Sequence, residues 1–450
     1  MENNKGQWSS NFGFLMAAIG SAVGLGNIWG FPYKMGANGG GAFLLVYVIL
    51  VVFVGFAVML GELTIGRKTG KGAVGAYRAL NKKLPWVGYM GVGSAFLILG
   101  FYSVLGGMVM RYMLGFLVNL FGGAGFAAEG FFGSWIANMP GMVGFYALFM
   151  LLNIVIVMGG ISGGIEKFSK VAMPALAVML VTVIVYVACQ PGAMEGYKFM
   201  FVPDFSVFDS LKSFFDVLKS AAGQMFFSLS LGMGAMITYG SYLSKSEDLN
   251  TNTIIIPVAD TIVAIMAGMA VMPACSAFGM DYGQGPGLLF NTLQTVFMDG
   301  MGGFIGSLMG FLFYTLVFIA AITSSISLLE VNTAYIIDKK LEKGKKVNRK
   351  SITGSDIHRG PAYGAGRTRH KRSGRRAHRQ SRHNLRPAHG GRHGGLAGLL
   401  RHDRGGHTHA LGLPRHEHNH RLGVREQDGK GGGRLLRPCI PGGRVLQYLL

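Results

Sequence analysis

Asp260 is the residue in this sequence that most needs a chemical explanation. It follows the run Ile254 to Ala259 and precedes Thr261-Ile-Val-Ala-Ile-Met266, so a carboxylate stands inside an apolar segment. A charged side chain at the centre of a membrane helix costs about 2.5–3.5 kcal/mol on insertion scales, so it requires a partner. The neighbouring apolar segments offer almost no Lys or Arg at that depth; a bound cation would serve instead. Three other stretches carry suitable atoms. Thr323-Ser-Ser325 places three hydroxyls within an apolar run, and Gly223-Gln-Met-Phe-Phe-Ser-Leu-Ser-Leu-Gly-Met-Gly234 sets glycines beside small hydroxyls. In Gly20-Ser-Ala-Val-Gly-Leu-Gly-Asn-Ile-Trp-Gly-Phe-Pro32, four glycines and a proline surround Asn27. Hard cations prefer oxygen ligands, and these stretches supply a carboxylate, hydroxyls and carbonyls that a broken helix would free. Hydroxyls in membrane helices also bond back to the preceding turn, and for Thr323 and Ser324 that alternative stays open.

The backbone that must position these groups is itself unusual. Glycine costs about 1 kcal/mol and proline about 3 kcal/mol inside a helix, yet residues 12–33 form an apolar segment long enough to span a bilayer. Non-helical backbone at membrane depth is tolerated only where protein buries it or where it lines a cavity. Interrupted hydrophobic segments therefore point to a transporter's binding site. A stripe of small residues would also suit close helix packing, but packing alone does not call for Asn27 and Pro32.

Eight apolar segments are long enough to span, at about 12–33, 41–66, 86–120, 141–159, 167–188, 220–240, 253–275 and 302–337. Arg67, Lys68, Lys71, Arg78, Lys82 and Lys83 lie between the second and third, and seven Lys or Arg lie between Lys339 and Lys350. The 121–140 and 276–301 connections have none. Positive loops face the cytoplasm, so the N-terminus is expected inside a cell (inner or plasma) membrane that the chain crosses many times. The 189–219 connection, with Pro191, Pro203 and both signs of charge, is then an outer loop. The first apolar stretch is too long for a cleavable signal and lacks a small-residue cleavage site.

Charge divides the chain. From Ser351 onward there are 20 Lys and Arg against 5 Asp and Glu, whereas residues 1–350 carry 22 against 16; all twelve histidines also follow residue 350. The expected organisation is a membrane body over 1–350 and an Arg/His/Gly-rich disordered or out-of-frame tail over 351–450. Cys189, Cys275 and Cys439 show neither paired nor CxxC spacing. No nucleophile–base arrangement, phosphate loop or metal motif is present, so an enzyme is not expected.

The stretch GSAVGLGNIWGFP followed by Asn38-Gly-Gly-Gly-Ala-Phe43 resembles the neurotransmitter:sodium symporter family. Gly61-Glu-Leu-Thr-Ile-Gly-Arg67, the Gly223–Gly234 run with Ile237-Thr-Tyr239, and Ala320-Ala-Ile-Thr-Ser-Ser325 resemble it further, in the right order, from residue 5 to about 340. The resemblance implies an all-α polytopic membrane protein with the inverted-repeat, leucine-transporter-like fold, its first and sixth helices broken. It implies sodium-coupled symport of an amino acid into the cell by alternating access. One sodium would be held by Ala22, Asn27, Ser228 and Asp260, and a second by Gly20, Val23, Ala320, Thr323 and Ser324. The substrate carboxylate would meet the first ion, N–H groups around Gly24, Leu25 and Gly26, and the Tyr102 hydroxyl; helix N-termini favour an anion. Carbonyls near Phe227 and Ser230 would take the α-ammonium, with Ser228 close by. Ser21, Ala22, Ile98, Phe227, Met233, Ser324 and Leu328 would line the side-chain pocket. Met233 occupies a position that is aromatic in the leucine transporter, and methionine packs well on ring edges, which suits a bulky apolar or aromatic substrate. Glu62 would satisfy N–H groups of the unwound sixth helix. Gly164 and Pro174 match a motif for unwinding the fifth helix, or simply a kink.

Asp260 stands where some members have a neutral Asn and depend on chloride. Its fixed charge, with Ala264 one turn on lacking a hydroxyl, implies that chloride is not required. Gly30 replaces an arginine that helps form an outer gate in many relatives, while Lys5 and Trp8 match an inner gate. Members have about twelve spans, and after Lys350 no stretch is long enough to cross a membrane, so the fold is expected to be incomplete. The simplest account is a shift of reading frame near residue 350, which removes helices nine to twelve. The alternative function is a truncated, non-transporting membrane protein that binds sodium and amino acid or acts as a scaffold subunit. The expected partners are an amino acid and the lipid bilayer. Nucleic acid, which the Arg372–Arg382 cluster could bind by composition alone, is not expected, nor is a firm metal site at His416-Glu-His-Asn-His420. The sequence is silent on oligomeric state.

Overall fold

Helices account for nearly all of the regular structure in a computed structural model that describes residues 6–122, 130–282, 285 and 287–356. Among these residues no strand forms beyond an isolated bridge between Gly40 and Pro203. In chain order the helices are α1 (Asn11–Ala22), α2 (Gly26–Ala37), α3 (Gly41–Thr69), α4 (Ala73–Leu80), α5 (Pro85–Leu120), α6 (Phe131–Ala137), α7 (Met139–Met158) and α8 (Ile161–Ala188). They continue as α9 (Ala193–Phe201), α10 (Leu211–Ser228), α11 (Ala235–Gly240), α12 (Leu249–Ala277) and α13 (Gly303–Leu341). Six of them, α3, α5, α7, α8, α12 and α13, are each long and apolar enough to cross a membrane, and α1 with α2 forms a seventh candidate bent by 46°. The sixth segment, 220–240, is the most interrupted, because its helices α10 and α11 are separated by six non-helical residues.

Both breaks follow from local chemistry. Ser10 caps α1 by accepting from the Gly13 N–H at 3.1 Å, and the helix ends where Val23 turns extended, with ψ 105°. Beyond it the Asn27 side chain accepts the Gly24 N–H at 3.0 Å, so a donor freed by the break is satisfied locally. In the other break Ser230, Gly232 and Gly234 all have positive φ, at 54°, 81° and 77°. Serine seldom adopts that region. Here its hydroxyl donates to the Ser21 carbonyl at 2.9 Å, which ties one break to the other. Glu62 on α3 accepts the Gly232 N–H at 2.6 Å, the role the resemblance implies for it.

The expected outer loop 189–219 contains α9 and the start of α10, which a Ser210–Ser213 capping box initiates. Residues 288–301, read as connection, form helical turns with buried Leu289, Phe290 and Phe297. Both were overlooked because short amphipathic helices give little signal beside spans. Pro174 lies inside α8, as Pro257 and Pro273 lie inside α12. The tail over 357–450 and Lys5 lie outside the described residues.

At the end of the bundle shared by residues 8 and 349, Trp8 donates its indole N–H to the Tyr239 carbonyl at 3.1 Å and packs edge-on against Phe14, Tyr239 and Tyr242. Tyr242 donates to the buried Glu330 carboxylate at 2.6 Å, and Glu330 also pairs with Arg349. Arg349 in turn donates to the Val157 carbonyl at 3.0 Å. Glu166, buried at the start of α8, accepts from the N–H of Ser9 at 2.8 Å, from the Ser9 hydroxyl, and from Lys170 at 2.7 Å.

Candidate functional site

The α1–α2 break lies against α12 and the end of α10, and Asp260 is fully buried between them. Its carboxylate accepts from the Asn27 amide at 2.8 Å and from the Ser228 hydroxyl at 2.7 Å, and its backbone carbonyl accepts from Asn27 at 3.2 Å. Among the described residues no Lys or Arg pairs with it. A buried charge without a counter-charge is expensive, and neutral hydrogen bonds offset only part of that cost. The surroundings are thus built from oxygen and suited to a hard cation.

Two further hydroxyls belong to this cluster and were not found from sequence. Tyr47, the sole polar side chain between Phe43 and Phe56, reaches in from α3 beside Asp260, Ser228 and Thr261. The Tyr47 and Thr261 hydroxyls are both buried, and among the described residues neither has a partner within geometric hydrogen-bond reach. A lone tyrosine at the core of an apolar run was the available signal.

A second group of oxygens lies where α1 meets α13. The Ser324 hydroxyl crosses to the Gly20 and Val23 carbonyls at 3.4 and 3.3 Å. Thr323 bonds back to the Ile319 and Ala320 carbonyls at 3.0 and 3.1 Å, the alternative that its sequence context left open. Gly20 packs against Thr323. Gly20, Val23, Ala320, Thr323 and Ser324 are therefore neighbours, and all five are buried.

Between the two groups lies a small cavity lined by Ser21, Ala22, Gly24, Gly26, Ile98, Tyr102, Phe227, Ser230, Met233, Ser324 and Leu328. Of the residues expected around a substrate, only Leu25 and Ser228 are missing from this lining. Ser228 is turned toward Asp260, and the Leu25 N–H already donates to the Tyr102 hydroxyl at 2.7 Å. The cavity holds about 20 Å³, room for about one water. Gly24 is essential to its shape, because a Cβ there would collide with the Ser324 and Tyr102 hydroxyls. Ser21 donates to Ser327 at 2.7 Å beneath the cavity, and Ser325 bonds to Asn153. Above it, Gln224 donates to the Gly26 carbonyl at 2.7 Å, and a Cβ on Gly30 would stand 3.3 Å from the other Gln224 amide atom.

The sequence profile described as the sodium:neurotransmitter symporter family matches residues 5–121 and 136–355. The chain belongs to that family. An uncharacterised sodium-dependent transporter of Bacillus subtilis, YhdH, is 38% identical over 348 residues, covering 76% of this chain and 75% of the relative. Another, from Methanocaldococcus jannaschii, is 33% identical over 350 residues, covering 74% and 70%. Among solved structures, that of MhsT in complex with L-phenylalanine superposes with a TM-score of 0.70 at 40% identity, covering 78% of this chain and 77% of the other. The fold is therefore the leucine-transporter fold, and this is a multi-pass membrane protein of a family whose listed relatives are sodium-dependent transporters.

Proposed function

We propose that this symporter-family chain couples sodium to the inward movement of a bulky apolar or aromatic amino acid by alternating access. The observation that carries this reading is the buried Asp260 carboxylate, which no Lys or Arg among the described residues pairs with, set among oxygens beside the cavity. The first sodium is assigned to Ala22, Asn27, Ser228 and Asp260. The second is assigned to Gly20, Val23, Ala320, Thr323 and Ser324. In each case sodium is cargo, held by oxygen and released with the substrate. The carboxylate of the amino acid is assigned to the Leu25 and Gly26 N–H groups and the Tyr102 hydroxyl, and its ammonium to carbonyls near Phe227 and Ser230. Ile98, Phe227, Met233 and Leu328 give the pocket an apolar wall, with Ser21 and Ser324 at its polar edge. The similarity to a transporter solved with L-phenylalanine supports an aromatic substrate. Distribution of Lys and Arg supports a plasma-membrane protein with its N-terminus in the cytoplasm. Because Asp260 supplies a fixed negative charge and Ala264 has no hydroxyl, transport does not require chloride.

The test is uptake of labelled phenylalanine into proteoliposomes under an inward sodium gradient, with this chain beside a version whose downstream frame is restored. Sodium-dependent uptake that persists with gluconate in place of chloride is the expected result. Loss of uptake on that replacement overturns the chloride assignment, and absence of both uptake and binding overturns the whole reading. A second reading has its own support, since the family match ends at residue 355 while every assigned ligand precedes residue 330. Sodium-dependent binding without uptake by the present chain, together with uptake by the restored one, would favour a binding protein that no longer transports.

A further inference from the structure

A second cavity, unconnected with the cation clusters, opens on the side of the bundle. It is a groove of about 490 Å³ between the end of α7, the start of α8 and Ile319 of α13. Its floor exists because Gly164 brings the two helices together: a Cβ there would collide with the Ile156 carbonyl. The Gly163 position is open, with nothing within 4 Å of where its Cβ would be. The walls are apolar, from Val155, Phe168 and Val171 among others. The mouth runs into the apolar stripe Val171, Val178 and Val185, exposed by 72%, 67% and 59% on the outside of the bundle. On a membrane helix that stripe faces lipid tails, so the groove is continuous with the hydrocarbon and not with water.

One lining residue does not fit an apolar ligand. Lys167 is exposed at the groove, and among the described residues it has no ion-pair partner. The nearest carboxylate in sequence, Glu166, points elsewhere, as successive helical residues do. It is buried toward α1 and is already held by Lys170 and Ser9. The groove thus ends in a free cation, at the end of the bundle where Arg349 meets the Val157 carbonyl. An apolar channel with a single cation at its head matches a ligand with an acyl chain and an anionic head.

We propose that this groove is a binding site for an anionic phospholipid, with an acyl chain along Val155, Phe168 and Val171 and the phosphate on Lys167. One lysine near a membrane surface gives roughly a fivefold preference for an anionic head. The test is native mass spectrometry of the full chain from micelles doped with equal phosphatidylglycerol and phosphatidylcholine. The expected result is a retained phosphatidylglycerol adduct about fivefold over phosphatidylcholine. Lys167→Gln should bring the two to parity while keeping the adduct. Val171→Trp, at a position where the added ring blocks the mouth and need not enter the core, should abolish retention of both lipids. Lys82→Gln, an exposed lysine away from the groove, should leave the preference unchanged. Folding of each variant is checked by a single cooperative thermal transition and by far-ultraviolet circular dichroism matching the parent's. Unaltered selectivity in folded Lys167→Gln, unaltered retention in folded Val171→Trp, or displacement of the adduct by inorganic phosphate would each overturn the proposal.

Discussion

Asp260→Asn separates a cation ligand from a merely buried carboxylate. The substitution keeps the side-chain shape and one carbonyl oxygen but removes the charge that Asn27 and Ser228 now stabilise. Two unit charges about 4 Å apart interact by about 4 kcal/mol at an effective dielectric of 20. The retained amide oxygen still ligates, so a loss of about 2–4 kcal/mol is expected, which weakens sodium about 30- to 1,000-fold. The assay is thermal unfolding of the detergent-solubilised chain across a sodium titration with potassium as the balancing ion. Sodium at a hundred times the dissociation constant of the Asp260 site adds about 2.7 kcal/mol of stability from that site. At the same concentration the Asp260 site of the variant should contribute less than about 1 kcal/mol, while the contribution of the second site is kept. Without sodium it should be no less stable than the parent, because an unpaired buried charge has been removed. A variant with an unchanged sodium midpoint would refute the reasoning, whatever its stability.

Three further outcomes are expected. Gly24→Ala should weaken sodium-dependent amino-acid binding about 5- to 150-fold in an equilibrium binding assay, since the new methyl collides with Ser324 and Tyr102 and overpacking costs about 1–3 kcal/mol; unchanged binding would contradict the assigned pocket. Glu166→Gln should speed amide hydrogen exchange over residues 6–22 by roughly tenfold or more, because hydrogen bonds to a charged group contribute about 1.5–3 kcal/mol; exchange like the parent's would show that Ser9 is held some other way. At the start of α12, the Thr251 hydroxyl and then the Asn250 N–H hold the Asp248 carboxyl below its usual range. A depressed pKa adds stability above the unfolded value of about 3.9 and loses it as pH falls through the lower folded value. The melting-temperature gap between the parent and Asp248→Ala should therefore be constant above about pH 5 and close below that range; a gap that persists in strong acid would exclude this cap.

The breaks were legible because glycine and proline carry their own conformational rules. Gly20 to Pro32 and Gly223 to Gly234 announce non-helical backbone before any partner is known, and Asp260 announces a charge that needs compensation. Tyr47 and Thr261 were not legible, because a hydroxyl in an apolar run acquires meaning only when folding brings it beside Asp260. Arg349 was hidden differently. It sits in a basic run that reads as cytoplasmic surface charge, yet it folds back to the buried Glu330. Lys167 was hidden for another reason, since the groove it borders exists only once α7 and α8 pack together. Long-range pairing of this kind leaves no mark on local periodicity or composition.

The Tyr102 hydroxyl occupies the Leu25 N–H that a substrate carboxylate would need, in a cavity fit for one water. The protein is, in effect, its own competitive ligand. An amino acid bound as proposed would have to displace that internal contact and widen the cavity, so its apparent affinity would be its intrinsic affinity reduced by the fraction of the chain that is open. Selectivity then acts as a threshold. On the proposed assignment, a side chain that wins enough contact with Met233, Ile98 and Leu328 would force the opening, and a smaller one would leave the door held shut by Tyr102.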